Sequence, residues 1–157
     1  MSPDRPDETE HERADRNWNE LLQELRVSQT GVQLLAGFLV TIPFQSRFGE
    51  LDAFQRGWYV GLLCLAFATV GVMLAPVAIH RHVFQANAKP ELVQAGHRLT
   101  AIALCLIGLL LAGILFLVVD MVYERWAAAG GSIAAVIGLA LLLIVLPRRV
   151  ARESDKD

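Results

Sequence analysis

The chain has 157 residues, of which 54% are hydrophobic and 19% are charged, and its formal net charge is −2. This composition is much more apolar than that of an average soluble domain, so we expect a lipid bilayer as its surroundings and no nucleic-acid partner. Charged side chains are nearly absent from four long stretches, about 27–44, 57–79, 99–121 and 127–146. Each stretch is long enough for a helix to cross the ~30 Å hydrocarbon core of a membrane.

The four stretches predict an all-α fold, a four-helix transmembrane domain over residues 16–146 built from two antiparallel hairpins. Backbone groups in lipid must hydrogen-bond to one another, and a helix does this within one segment. A soluble helical protein would need a charged face on each helix, and these stretches have none.

The segment before the first span is polar at its start and amphipathic at its end. Residues 1–15 are acidic, contain two prolines and lack apolar periodicity, so we predict a disordered cytoplasmic tail. The next residues place four apolar side chains on one helical face and predict an interfacial helix leading into the span: Trp18, Leu21, Leu22 and Leu25. The mixed charges of this region differ from those of a signal peptide, so we expect an uncleaved anchor.

A polar stripe follows the first span at four-residue spacing: Gln29, Gln33, Gly37, Thr41 and Gln45. Amides on a membrane helix usually bond to neighbouring helices, and a glycine among them lets backbones approach closely. A polar pathway or a small-ligand cleft along the same face is the alternative interpretation.

Small residues at four-residue spacing also mark the other spans and predict close helix packing, within one chain or between subunits. They are Gly71 with Ala75, Gly108 with Ala112, Gly131 with Ala135, and Ala134 with Gly138.

Pro90 is suited to the first turn of a helix, so we predict that the third helix begins near it, well before the lipid. Residues 122–126 leave room only for a tight turn between the last two spans.

Asp120 and Glu124 lie one helical turn apart at the outer end of the third span and form a predicted outer acidic pair. Asp120 falls about 31 Å along the helix from Leu99, which places it at the interface and away from the midplane. We interpret the two carboxylates as a hydrated pair near Arg125. An ion-entry site is the alternative.

The distribution of Lys and Arg predicts that both termini are cytoplasmic. Eleven of the 14 lie in the two tails and the middle loop, whereas Arg47, Arg56 and Arg125 lie on the opposite side. Four aromatic residues fit a belt at that outer interface: Trp58, Tyr59, Tyr123 and Trp126.

Five basic residues on the inner side are predicted to contact anionic lipid head groups: Arg81, Lys89, Arg98, Arg148 and Arg149. Residues 147–157 form a basic cytoplasmic tail.

The sequence contains no glycine-rich phosphate loop, nucleophile elbow, HExxH or CxxC motif, so we expect no catalytic residue, metal or cofactor and no enzyme activity. The charge-free span interiors also argue against ion-coupled transport by one chain, because proton and sodium carriers generally use an ionisable group within the membrane.

Several segments resemble a family of small bacterial four-span proteins of unknown function: residues 17–33 (NWNELLQELRVSQTGVQ), residues 44–48 (FQSRF), Gln55-Arg56 and His80-Arg81. The likeness covers nearly everything after the acidic tail. It implies a multi-pass protein of the bacterial cytoplasmic membrane, and some members look as if they carry a sodium:proton antiporter label.

Two functional hypotheses follow from these patterns. The first is a non-enzymatic membrane protein that acts by helix packing, as a homo-oligomer or as an accessory subunit of a membrane complex. The second is a small ion transporter or channel with a polar path along the first span, through Gln29, Gln33 and Thr41.

Overall fold

A computed structural model describes residues 10–83, 89–145 and 149 of the chain. Four helices account for most of these residues: α1 (Glu10–Thr41), α2 (Ala53–Val83), α3 (Lys89–Val122) and α4 (Arg125–Ala140). Two short 3₁₀ helices, Ile42–Phe44 and Ser46–Glu50, connect α1 to α2, and a π-helical turn, Leu141–Val145, follows α4. The described residues contain no strand, so the all-α prediction is confirmed.

Four segments are long and apolar enough to cross a membrane, as the charge pattern predicts. Their bounds are Arg16–Phe44, Ala53–Ala78, Arg98–Val122 and Arg125–Leu143. With 32 and 34 residues, α1 and α3 are about 48 and 51 Å long, well beyond the ~30 Å of hydrocarbon. The third helix begins at Lys89, one residue before Pro90, and two residues separate α3 from α4.

The predicted disordered tail is too long, because α1 already begins at Glu10. Residues 10–15 are helical, and residues 1–9 lie outside the described part of the chain. Adding a turn to an existing helix avoids the cost of nucleation, and an acidic side chain such as that of Glu12 favours a helix N-terminus. An ion pair between Arg16 and Glu20, with N···O at 3.9 Å, supports the next turn.

The chain divides into two compact units, of which the first comprises residues 1–43 and 63–107. On α1 its core repeats every seven residues, at Trp18, Leu25, Val32 and Leu39, all buried. A Cβ atom on Gly96 of α3 would lie 2.9 Å from Cζ3 of Trp18, so α1 and α3 approach closely where glycine leaves room. The predicted interfacial face therefore packs against protein.

The second unit comprises residues 44–62 and 108–157 and joins the N-terminal end of α2 and the C-terminal end of α3 to α4. Aromatic rings fill the space between α2 and α3: the Trp58 and Phe116 centroids lie 4.7 Å apart, and Phe54 stacks on Trp58 at 5.9 Å. The Nε1–H group of Trp58 donates a hydrogen bond to the carbonyl oxygen of Gly113 at 3.0 Å. A Cβ atom on Gly113 would overlap Leu62, so α2 and α3 approach closely here too.

Candidate functional site

The main polar site of the second unit begins at the N-terminus of α2. Asp52 Oδ1 accepts a hydrogen bond from the backbone N–H of Gln55 at 2.7 Å, and Gln55 Oε1 accepts one from the backbone N–H of Asp52 at 3.0 Å. This reciprocal pair is a capping box, which satisfies two backbone donors that a helix start leaves free. The box also holds the Gln55 amide group in a defined direction.

Asp120, near the end of α3, accepts hydrogen bonds from two other elements. The Gln55 Nε2 amide group donates to Asp120 Oδ2 at 2.9 Å, and Arg125 Nε donates to Asp120 Oδ1 at 3.2 Å. The Asp120 side chain is only 3% exposed. Because each carboxylate oxygen has a donor, burial of this charge is compensated.

Arg125, the first residue of α4, closes the arrangement. Its Nη2 group donates to Asp52 Oδ2 at 2.7 Å, so four residues form a continuous hydrogen-bonded ring, in which backbone N–H groups make the link between Asp52 and Gln55. We call Asp52, Gln55, Asp120 and Arg125 the outer ring. The Arg125 guanidinium carbon also lies 4.3 Å from the centroid of the Phe54 ring, a cation–π distance.

The outer ring contains two carboxylates and one guanidinium group. The backbone N–H of Gln55 lowers the pKa of Asp52 below its usual 3.8, against a smaller opposing effect of desolvation, and Arg125 lowers it further. Asp52 is therefore ionised at neutral pH. With every ring carboxylate bound to a donor, the arrangement is suited to joining three helix ends.

The structure separates the two members of the predicted outer acidic pair. Asp120 is buried in the outer ring, whereas Glu124 is exposed, immediately precedes α4 and accepts a hydrogen bond from Nε1 of Trp126. The prediction recognised Arg125 as a neighbour but missed Gln55 and Asp52. The D-x-x-Q pattern of residues 52–55 is a capping signal that could have pointed to both.

The four aromatic residues predicted as an outer belt have different surroundings. Tyr59 is buried, with its ring edge-on to Phe48 at 5.4 Å, and Trp58 donates its hydrogen bond to α3. Tyr123 and Trp126 are 72% and 74% exposed. Trp58 is 38% exposed, so each of the four except Tyr59 has exposed surface that could contact a membrane interface.

The polar stripe of α1 lies largely on the surface. Gln29 is half-buried, and the other members are exposed: Gln33, Gly37, Thr41 and Gln45. The Thr41 hydroxyl donates to the Phe38 carbonyl oxygen at 2.7 Å, so this hydroxyl is satisfied within its own helix. Within the described residues, the Gln29 and Gln33 side chains make no hydrogen bond.

The remaining predicted positions are spread along the chain. Two of the basic residues predicted to contact lipid head groups are exposed, Arg98 and Arg149. Arg81 lies in α2 and Lys89 is the first residue of α3. Arg148 lies outside the described residues. Cys64 and Cys105 are exposed free thiols. No group of three or more potential metal ligands occurs within the described segments.

A comparison with protein families matches residues 7–147 to a family of unknown function, DUF6328. The chain belongs to this family. The match includes all four apolar helices and every member of the outer ring, so the family covers the four-helix region as a whole. No curated protein and no solved structure matches the chain.

Proposed function

We propose that this DUF6328 protein is a non-enzymatic protein of the bacterial cytoplasmic membrane that acts by packing against other membrane helices. It works as a homo-oligomer or as an accessory subunit of a membrane complex, with both termini in the cytoplasm. The excess of Lys and Arg in the tails and the middle loop supports this orientation.

The observation that carries the proposal is the Gln33 amide group. It lies in the first apolar span, six residues or about 9 Å beyond Val27, and it is exposed and makes no hydrogen bond within the described residues. Burying an amide in an apolar medium without a partner costs about 2–7 kcal/mol. A polar group from another membrane protein would remove much of this cost.

The exposed face of α4 supports the same proposal. Gly130, Ala134 and Gly138 recur every four residues on this helix and are all exposed, and a Cβ atom on either glycine would meet nothing within 4 Å. Small residues at this spacing let membrane helices approach closely.

Ion transport by one chain has less support. Asp120 lies at the end of its span and is held by Gln55 and Arg125, and an ion carrier needs a carboxylate that can exchange partners near the midplane. Gln33 and Thr41 are on the surface, so a path along them would run between chains.

Purification in a mild detergent followed by light scattering tests the proposal. We expect a defined multimer or a co-purifying membrane protein. A monodisperse monomer without a partner, both in detergent and by native mass spectrometry from lipid nanodiscs, would contradict it. Proton, sodium or potassium flux in liposomes that is lost in a folded Gln33→Leu variant would favour the transporter hypothesis instead.

A further inference from the structure

We infer that the partner of the Gln33 amide is the Gln33 amide of a second copy, so that two α1 helices meet side by side in the membrane with Gly37 at their closest approach. This inference rests on the proposed function, because it names the partner and the surface of the proposed oligomer.

Gln33 lies on a side of α1 that does not face the core of its own chain. Val32 and Leu39 mark the buried side of the helix. At about 100° per residue, Gln33 lies about 100° from Val32, and Gly37 lies about 140° from it. Both are exposed, so this face points away from the core of its own chain. It is available to another helix.

The Gln33 amide group can pair with the same group of a second copy. A glutamine side chain has both donors and acceptors, so two copies can satisfy each other. Two copies inserted with the same topology carry Gln33 at the same depth, and a two-fold axis along the membrane normal brings the residues together. Lipid tails provide no donor or acceptor at this depth. A second copy therefore matches the amide in both chemistry and height.

Gly37 lies one helical turn beyond Gln33 on α1. Glycine within a helix costs about 0.5–1 kcal/mol relative to alanine. A Cβ atom on Gly37 would meet nothing within 4 Å, so packing inside the described chain does not explain the glycine. Close approach of a second helix does explain it, because the missing side chain lets the two backbones and the neighbouring amides come together.

Cysteine cross-linking in native membranes tests the geometry. In a background with Cys64→Ser and Cys105→Ser, the Val40→Cys variant places a thiol on the Gln33 side of α1, about 20° from it. The Phe38→Cys variant places one on the same helix about 140° from Gln33. Both native side chains are exposed, so the two positions are matched in access. With copper phenanthroline we expect several-fold more disulfide dimer from Val40→Cys.

Energy transfer between labelled copies in liposomes tests the residues. We expect Gly37→Leu to abolish dimerisation and Gln33→Leu to raise the dimer dissociation constant about five- to tenfold, with partial recovery in Gln33→Asn. Gly31→Leu is the matched control, because Gly31 is equally open and lies about 160° from Gln33. Circular dichroism and a monodisperse elution profile verify that each variant is folded.

The outcomes separate this inference from the proposed function. A multimer that survives Gly37→Leu but is lost in Ala134→Leu would place the contact on α4 and overturn the inference, while leaving the proposed oligomer in place. Cross-linking of Val40→Cys to a different protein would overturn the second copy as partner. A chain that stays monomeric at every protein-to-lipid ratio would overturn both.

Discussion

Replacement of Asp120 by asparagine is the sharpest test of the outer ring. The carboxylate is 3% exposed and accepts one hydrogen bond from Gln55 and one from Arg125. An asparagine side chain has one oxygen in place of two, and its NH₂ group would face a donor. The substitution also leaves Arg125 with Asp52 as its only carboxylate partner in the ring.

The expected magnitude follows from these contacts. A hydrogen bond to a charged group contributes about 1.5–3 kcal/mol. Because Arg125 is half-exposed and retains Asp52, water compensates part of its loss, and we expect Asp120→Asn to cost about 2–3 kcal/mol in total. For a domain of this size, that corresponds to a fall of roughly 4–12 °C in the unfolding midpoint.

The assay is thermal unfolding in mild detergent, followed by tryptophan fluorescence. Glu124→Gln is the matched control, because this exposed acid lies four residues further along and its carboxylate accepts a hydrogen bond from Trp126 and takes no part in the ring. A double-mutant cycle of Asp120→Asn with Gln55→Leu should give a coupling energy of at least about 1 kcal/mol. If Asp120→Asn shifts the midpoint no more than Glu124→Gln does, the ring has no stabilising role.

Three further predictions use other contacts. The pKa of Asp52 is lower in the folded protein than its unfolded value near 3.8. The ionised side chain therefore stabilises the fold fully above that unfolded pKa, and this stabilisation disappears as the pH falls through the lower folded pKa. Unfolding midpoints measured from pH 6 to pH 3 should fall in acid, and they should fall less in the Asp52→Asn variant. Gly113→Leu should destabilise the protein by about 1–3 kcal/mol by overpacking against Leu62, whereas Gly61→Leu, where a Cβ meets nothing within 4 Å, should change the midpoint little in the same thermal assay. If the C-terminus is cytoplasmic, a green fluorescent protein fused to it should fluoresce and an alkaline phosphatase fused to it should be inactive. The reverse pattern would refute the proposed orientation.

The four helices could be predicted from the sequence because a charge-free, apolar stretch of bilayer length is rarely found outside a membrane-spanning helix. The start of α1 could not, since polar residues from Glu10 onwards show no apolar periodicity and are helical as an extension of the turns that follow. Whether such residues extend a helix depends on the helical turns that follow them in the chain, and the pattern of apolar residues does not show this.

The outer ring was only partly predictable. Arg125 is five residues from Asp120, and their proximity follows from local spacing. Gln55 is 65 residues away, so the burial of Asp120 depends on how α2 lies against α3. Tertiary contacts also distinguish Tyr59, which is buried with its ring against Phe48, from Trp126, which is exposed, although both are aromatic residues at the end of a span. Sequence spacing places such residues at an interface without saying which of them contacts protein.

The closure of the outer ring also sets an order of events during synthesis. Arg125 and Asp52 are 73 residues apart, so a nascent chain that has inserted α1 and α2 carries a charged Asp52 for which no guanidinium partner yet exists. The ring closes only after the start of α4 has left the ribosome. The final pairing of three helix ends is therefore a late step of biogenesis, and chains truncated before Arg125 would insert without completing it.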